Sequence, residues 1–166
     1  RQGIEIKPIL SGGAQERKIR PGTENMPGIL GLGAAMVLRK KDLAERQSHL
    51  IQLRTLLIKG LRDVVPGCKI NGPLDTVAPQ VISISFPKVD GELAFFHLSQ
   101  KGVAVSLGSA CTSENLEPSH VLSAMGLPLN DITGTLRIST GTPTTEAEVH
   151  ELLKIMPTII EQSRLK

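Results

Sequence analysis

The sequence predicts an α/β chain of the α+β kind: a long helix, then helices covering one face of a small, mostly antiparallel sheet. Three observations carry this. Leucines recur with helical spacing between residues 43 and 61. Two short stretches, Val81 to Phe86 and Leu136 to Ser139, alternate apolar with polar or charged residues as half-buried strands do. The segments follow the order helix, strand, strand, helix, strand, loop, helix, strand, helix, which suits helices layered on a small sheet.

The first twenty residues alternate weakly at Ile4 and Ile6, then turn polar; Gly12 and Gly13 permit close backbone approach. Arg20-Pro21-Gly22-Thr23 reads as a turn entering a helix, with Asn25 as its cap and Pro27 in its first turn. A turn of N–H groups, a hydroxyl and a helix N-terminus is either a simple cap or an anion site. Gly28 to Val37 is rich in small residues that allow close helix packing. Leu43, Leu50, Leu53, Leu57, Leu61 and Val64 then mark one helical face, and Pro66-Gly67 ends it. Arg46, Arg54, Lys59 and Arg62 read as its solvated side. Nothing between Arg39 and Val64 breaks the pattern, so a single rod is expected there.

Lys69 to Asn71 is a candidate strand, followed by a turn at Asn71-Gly72-Pro73. In the next strand Ile82, Ile84 and Phe86 face one way. Asp90 caps a helix reaching Lys101, closed by Gly102. Val103 to Ser106 is a short strand, and Pro118 to Leu122 opens a short helix with Pro in its first turn. In the last strand Leu136 and Ile138 face one side, so Arg137 projects from the other; alone, it reads as an exposed ion pair. Thr145 to Glu148 forms a capping box. The helix it opens carries Val149, Leu152, Leu153, Met156 and Ile160 on one face, and Pro157 is expected to kink it or end it early.

Composition narrows the function. A chain of 166 residues holds one domain with a core, or a small domain plus a tail. No run of eighteen apolar residues exists, so no membrane helix is expected, and Arg1-Gln2-Gly3 opens no signal peptide. The absence of an initiator Met suggests a fragment. A net charge of +3, with no Trp, no Tyr and three Phe, argues against nucleic acid. Cys68 and Cys111 lack the paired spacing of a zinc site and fit a reducing cytoplasm. No metal is expected, and His49, His97, His120 and His150 read as ordinary histidines.

The stretch Ser106-Leu107-Gly108-Ser109-Ala110-Cys111-Thr112-Ser113 stands apart. It places one cysteine on a loop of small, hydroxylated residues between a strand and a helix. Such a thiol can serve as a nucleophile once ionised, or it can be an ordinary buried thiol.

Gly108 to Gly126 resembles the active-site loop of the cysteine desulfurases of NifS/IscS type, within the class V aminotransferases. Leu107 stands where that pattern usually has Ser. Two more segments are similar to the family: Gly12-Gly13-Ala14-Gln15-Glu16 with Arg20-Pro21-Gly22-Thr23-Glu24-Asn25, and Leu136-Arg137-Ile138-Ser139-Thr140-Gly141 with Thr144 to Val149. The resemblance spans the chain but only the C-terminal part of the family. It implies the small domain of a fold-type I pyridoxal-phosphate enzyme over residues 39–166, with residues 1–38 the tail of the large cofactor-binding domain. It implies Cys111 as catalytic nucleophile, Arg137 as the fork for the substrate carboxylate, and Thr23 as a contact to the phosphate of pyridoxal 5'-phosphate across a homodimer interface. The implied reaction takes sulfur from L-cysteine, leaves L-alanine, and passes a persulfide to an iron–sulfur scaffold or another sulfur acceptor. The implied setting is the cytoplasm, or an organelle matrix in a eukaryote. The family's cofactor lysine follows a histidine, and none of the ten lysines here does. This polypeptide alone is therefore expected to lack the covalent link to the cofactor, to be inactive alone, and to need the missing N-terminal domain. A non-catalytic persulfide carrier or partner-binding module, an inert structural domain, and a selenocysteine lyase-like relative are the alternatives.

Overall fold

The computed structural model describes residues 3–108 and 118–165. The chain forms two compact units, Arg1–Leu43 and Ala44–Lys166.

In the first unit, extended chain leads to a single turn, α1 (Gln15–Lys18). Glu16, Arg17 and Lys18 sit in the left-handed region, with φ of 47°, 57° and 66°. Each such non-glycine residue costs roughly 1–2 kcal/mol, and nothing in the polar sequence signals the turn. The helix α2 (Met26–Lys41) starts as its sequence predicts: the Asn25 side chain accepts from the Gly28 N–H at 3.1 Å, and Pro27 lies in the first turn. None of its residues is buried. The helix stops at Asp42, where φ is −118° and ψ 16°. The rod expected from Arg39 to Val64 is thus two helices. Asp is a poor interior residue because its short carboxylate competes for nearby backbone groups.

The second unit is built on α3 (Leu43–Val64) and a four-stranded sheet. Leu50, Leu53, Leu57 and Leu61 are buried as the spacing predicts, while Leu43 is exposed. Arg54 departs from the solvated side assigned to it: it is 7% exposed, and its Nη1 donates to the Val81 carbonyl at 2.7 Å. That carbonyl opens the strand β2 (Val81–Ser85), and the guanidinium ties helix to sheet there. The remaining strands are β1 (Lys69–Ile70), β3 (Ser106–Leu107) and β4 (Thr135–Ser139). Their order is β1-β2-β4-β3, and every pairing is antiparallel.

One face of the sheet supplies Ile82, Ile84, Leu136 and Ile138 to the core. Against them pack α3, α4 (Gly91–Gln100) and α7 (Glu146–Gln162). Asp90 caps α4 by accepting from Glu92 and Leu93, and Gly102, with φ +75°, closes it. Thr145 and Glu148 form the capping box of α7; the two bonds from Thr145 hold the exposed Glu148 carboxylate below its usual pKa. This helix runs through Pro157 to Gln162 rather than ending early. The lost hydrogen bond and ring clash cost about 3 kcal/mol. Burial of Met156, Ile159 and Ile160 is worth roughly 1.5–3 kcal/mol each and outweighs that.

The other face carries a polar chain that alternation alone does not reveal. Ser85 and Thr135, paired across β2 and β4, share a hydroxyl bond of 2.7 Å with both residues buried. Thr135 also donates to the Asp131 carbonyl at 2.7 Å, and Asn71 donates to Ser85 at 2.9 Å. Lys69 reaches the buried Asp131 carboxylate at 2.7 Å. Asp131 lies on α6 (Leu129–Thr133), a five-residue helix too short to leave a periodic signal.

Candidate active site

The strand β4 sets the site. Leu136 and Ile138 turn into the core, and Arg137 between them is exposed on the opposite face. Its register neighbours are Ser83 on β2 and Ser106 on β3. Arg137 Nη2 donates to Ser106 Oγ at 3.1 Å. Among the described residues no carboxylate pairs with it, so the isolated reading of an exposed ion pair does not hold there. The result is a charged, planar, five-donor fork held at one corner by a neutral hydroxyl. Such a fork matches a carboxylate in two parallel hydrogen bonds.

The strand beside Arg137 begins later than its sequence suggests, at Ser106 rather than Val103. The Val103 N–H donates to the Leu98 carbonyl, so the residues after Gly102 close α4 before the chain reaches the sheet. Next, the Gly108 N–H donates to the Thr135 carbonyl at 3.0 Å. A Cβ on Gly108 would lie 3.0 Å from both Thr135 and Leu122, so the chain leaves the sheet through a close fit. Cys111 follows, and residues 109–117 lie outside the described residues. Beyond them Ser119 caps α5 (His120–Ala124), with Pro118 ahead of the cap rather than in the first turn.

The other cysteine, Cys68, is half-buried beyond the end of α3. Burial pushes its thiol above the usual 9.0, and the opposing pull of the Arg62 charge is weaker. The folded state therefore favours the neutral thiol. That preference is complete below pH 9 and fades as pH rises through the raised value. Alkylation of Cys68 at neutral pH is expected to be several-fold slower than that of a small free thiol, and to accelerate above pH 9. Peptide mass spectrometry after timed iodoacetamide exposure reads this; labelling at the free-thiol rate at neutral pH refutes it.

In the first unit, Thr23 is exposed between Gly22, with φ +106°, and the cap of α2. Its hydroxyl makes no hydrogen bond among the described residues, whereas the Gly22 N–H is taken by Gln15 Oε1 at 3.2 Å. A free hydroxyl just ahead of a sixteen-residue helix fits a phosphate group. Among the described residues, no three His, Cys, Asp or Glu side chains gather as a metal site, and no helix is long and apolar enough to cross a membrane. His49 bonds the Thr144 carbonyl at 2.9 Å, and His97 packs edge-on against Phe96.

The sequence pattern described as aminotransferase class-V matches residues 9–152. The chain belongs to the class V aminotransferase family. Its similar relatives include cysteine desulfurase IscS of Methanosarcina thermophila, 44% identical over 99% of this chain and 40% of the relative. A cysteine desulfurase of Nostoc sp. is 42% identical over 99% of this chain and 41% of its own length. Among solved structures, a NifS-like protein superposes with a TM-score of 0.80 at 36% identity, covering 98% of this chain and 41% of that one. DndA of Streptomyces lividans superposes with a TM-score of 0.60 at 43% identity, covering 80% of this chain and 36% of its own. This class V chain thus spans about two-fifths of the length of the curated relatives it matches. Its small antiparallel sheet under helices is part of the pyridoxal-phosphate fold of those NifS-like structures.

Of the three site residues read from the sequence, Arg137 stands on the sheet of the second unit and Thr23 before α2 in the first. Cys111 is outside the described residues. Sequence reasoning missed Ser106 as a partner of Arg137; only the β3–β4 register pairs them.

Proposed function

We propose that this chain is part of a cysteine desulfurase that removes sulfur from L-cysteine. Arg137 carries the reading: an exposed guanidinium without a described acidic partner, ready for a carboxylate. Arg137 takes the α-carboxylate and orients the substrate. The Cys111 thiolate attacks the substrate sulfur. The new S–S bond forms as the substrate C–S bond breaks, and the electron pair of that bond stays on carbon. Protonation there gives the methyl group of L-alanine, while Cys111 keeps the sulfur as a persulfide. Pyridoxal phosphate, when bound, supplies the electron sink for this cleavage, and Thr23 would reach across a homodimer interface to the phosphate of the partner subunit's cofactor. A working enzyme of this kind would also need the rest of the family fold and would act as a homodimer. Residues 1–38, most of the first unit, would then belong to the large domain, and the bare apolar residues of α2 support that. Residues 39–166 would form the small domain. The persulfide passes to a sulfur-acceptor protein such as an iron–sulfur scaffold, and a cytoplasmic setting suits the free thiol of Cys68.

The test is to incubate the full-length protein with cofactor and L-cysteine, then digest without reductant. The Cys111 peptide is expected to gain the mass of one sulfur atom while L-alanine accumulates. An unmodified Cys111 peptide alongside rising alanine would overturn the assignment.

A further inference from the structure

The structure assigns a second role beside Arg137: we infer that Ser106 is the positioning residue for its guanidinium. This rests on the reading that Arg137 grips the substrate carboxylate. An arginine side chain rotates about four bonds, so an exposed one samples many orientations. A fork that must meet a carboxylate in two parallel bonds loses affinity for every wrong orientation. Ser106 removes part of that freedom. It stands directly opposite Arg137 across the β3–β4 pair, and its Oγ accepts from Nη2 at 3.1 Å.

Two features make this partner suited to a binding arginine rather than to a structural one. The hydroxyl is neutral, so it steadies the guanidinium without cancelling its charge; a carboxylate in its place would have to be displaced by the substrate. On the other flank, across β2, the opposing residue is Ser83, which is small and accepts a bond from Asn71. Among the described residues, Arg137 makes no other side-chain hydrogen bond or ion pair. Ser106 is itself fixed by backbone: Leu107 packs against the core and pairs with Leu136. Ser106 also precedes Cys111 by five residues in the sequence.

The test uses the full-length protein with its cofactor. Ser106→Ala is expected to raise KM for L-cysteine about fivefold, the scale of one solvent-exposed hydrogen bond, with kcat within about twofold. Ser106→Thr, which keeps the hydroxyl, should stay near the parent, and Ser106→Val, its equal in shape, should behave like alanine; this pair decides the matter if the alanine variant folds poorly. The KM effect should vanish for L-cysteine methyl ester, whose carboxyl carries no charge, and in an Arg137→Leu background. An unchanged KM in Ser106→Ala and Ser106→Val, or a rise that persists with the ester or without Arg137, overturns the role of Ser106. Failure of the underlying reading looks different: the parent releases no alanine, or Arg137→Leu alone leaves KM unchanged, and the positioning role falls with it.

Discussion

Cys111→Ser in the full-length protein is expected to lower alanine release from L-cysteine by at least about 1000-fold while leaving KM within about threefold. The exchange alters one atom. A thiolate is accessible near neutral pH because free Cys ionises at about 8.5, whereas a serine hydroxyl stays protonated unless a neighbouring base removes its proton. Sulfur also accepts a second sulfur as a stable persulfide, and oxygen does not. Carboxylate binding belongs to Arg137 in this reading, so substrate affinity should survive. Steady-state kinetics separate the two parameters, and alanine release at the parent rate would remove Cys111 from the reaction.

Gly134→Ala is expected to cost about 2–3 kcal/mol of stability, lowering the thermal midpoint by roughly 10 °C. Gly134 ends α6 and leads into β4. A Cβ there would overlap the Phe86 carbonyl oxygen and lie 3.0 Å from that of Val89. Both obstacles are backbone. One belongs to the residue whose N–H donates to the Gly134 carbonyl at 3.0 Å, so relief means parting the end of β2 from the start of β4. Gly60 offers the contrast: its added methyl would meet the tip of the Leu153 side chain, which can turn aside. Calorimetry on both variants checks the difference, and a midpoint for Gly134→Ala matching the parent would refute the steric argument.

The leucine stripe of α3, the alternation in β2 and β4, and the caps at Asn25, Asp90 and Thr145 were legible because each is a local pattern with a local cause. The break at Asp42 was not, since aspartate lowers helix propensity without forbidding the helix. Of the two outcomes expected at Pro157, an early end to the helix did not occur: a local penalty lost to the burial of its neighbours. The buried Arg54 read as solvated because its partner, the Val81 carbonyl, lies 27 residues away. For the candidate site, Arg137 announced itself by alternation. The Ser106 contact spans 31 residues and exists only once the strands are in register. The polar chain through Asn71, Ser85, Thr135 and Asp131 was hidden for the same reason.

The sheet places its five-residue strands in the middle and its two-residue strands, β1 and β3, at the borders. An unpaired border is a template on which foreign polypeptide can zip, and its reach is set by its length. Borders this brief offer too few free amides to recruit a neighbour. The second unit can therefore carry Ser106 on a border strand of its sheet without offering a long template for fibrous self-assembly.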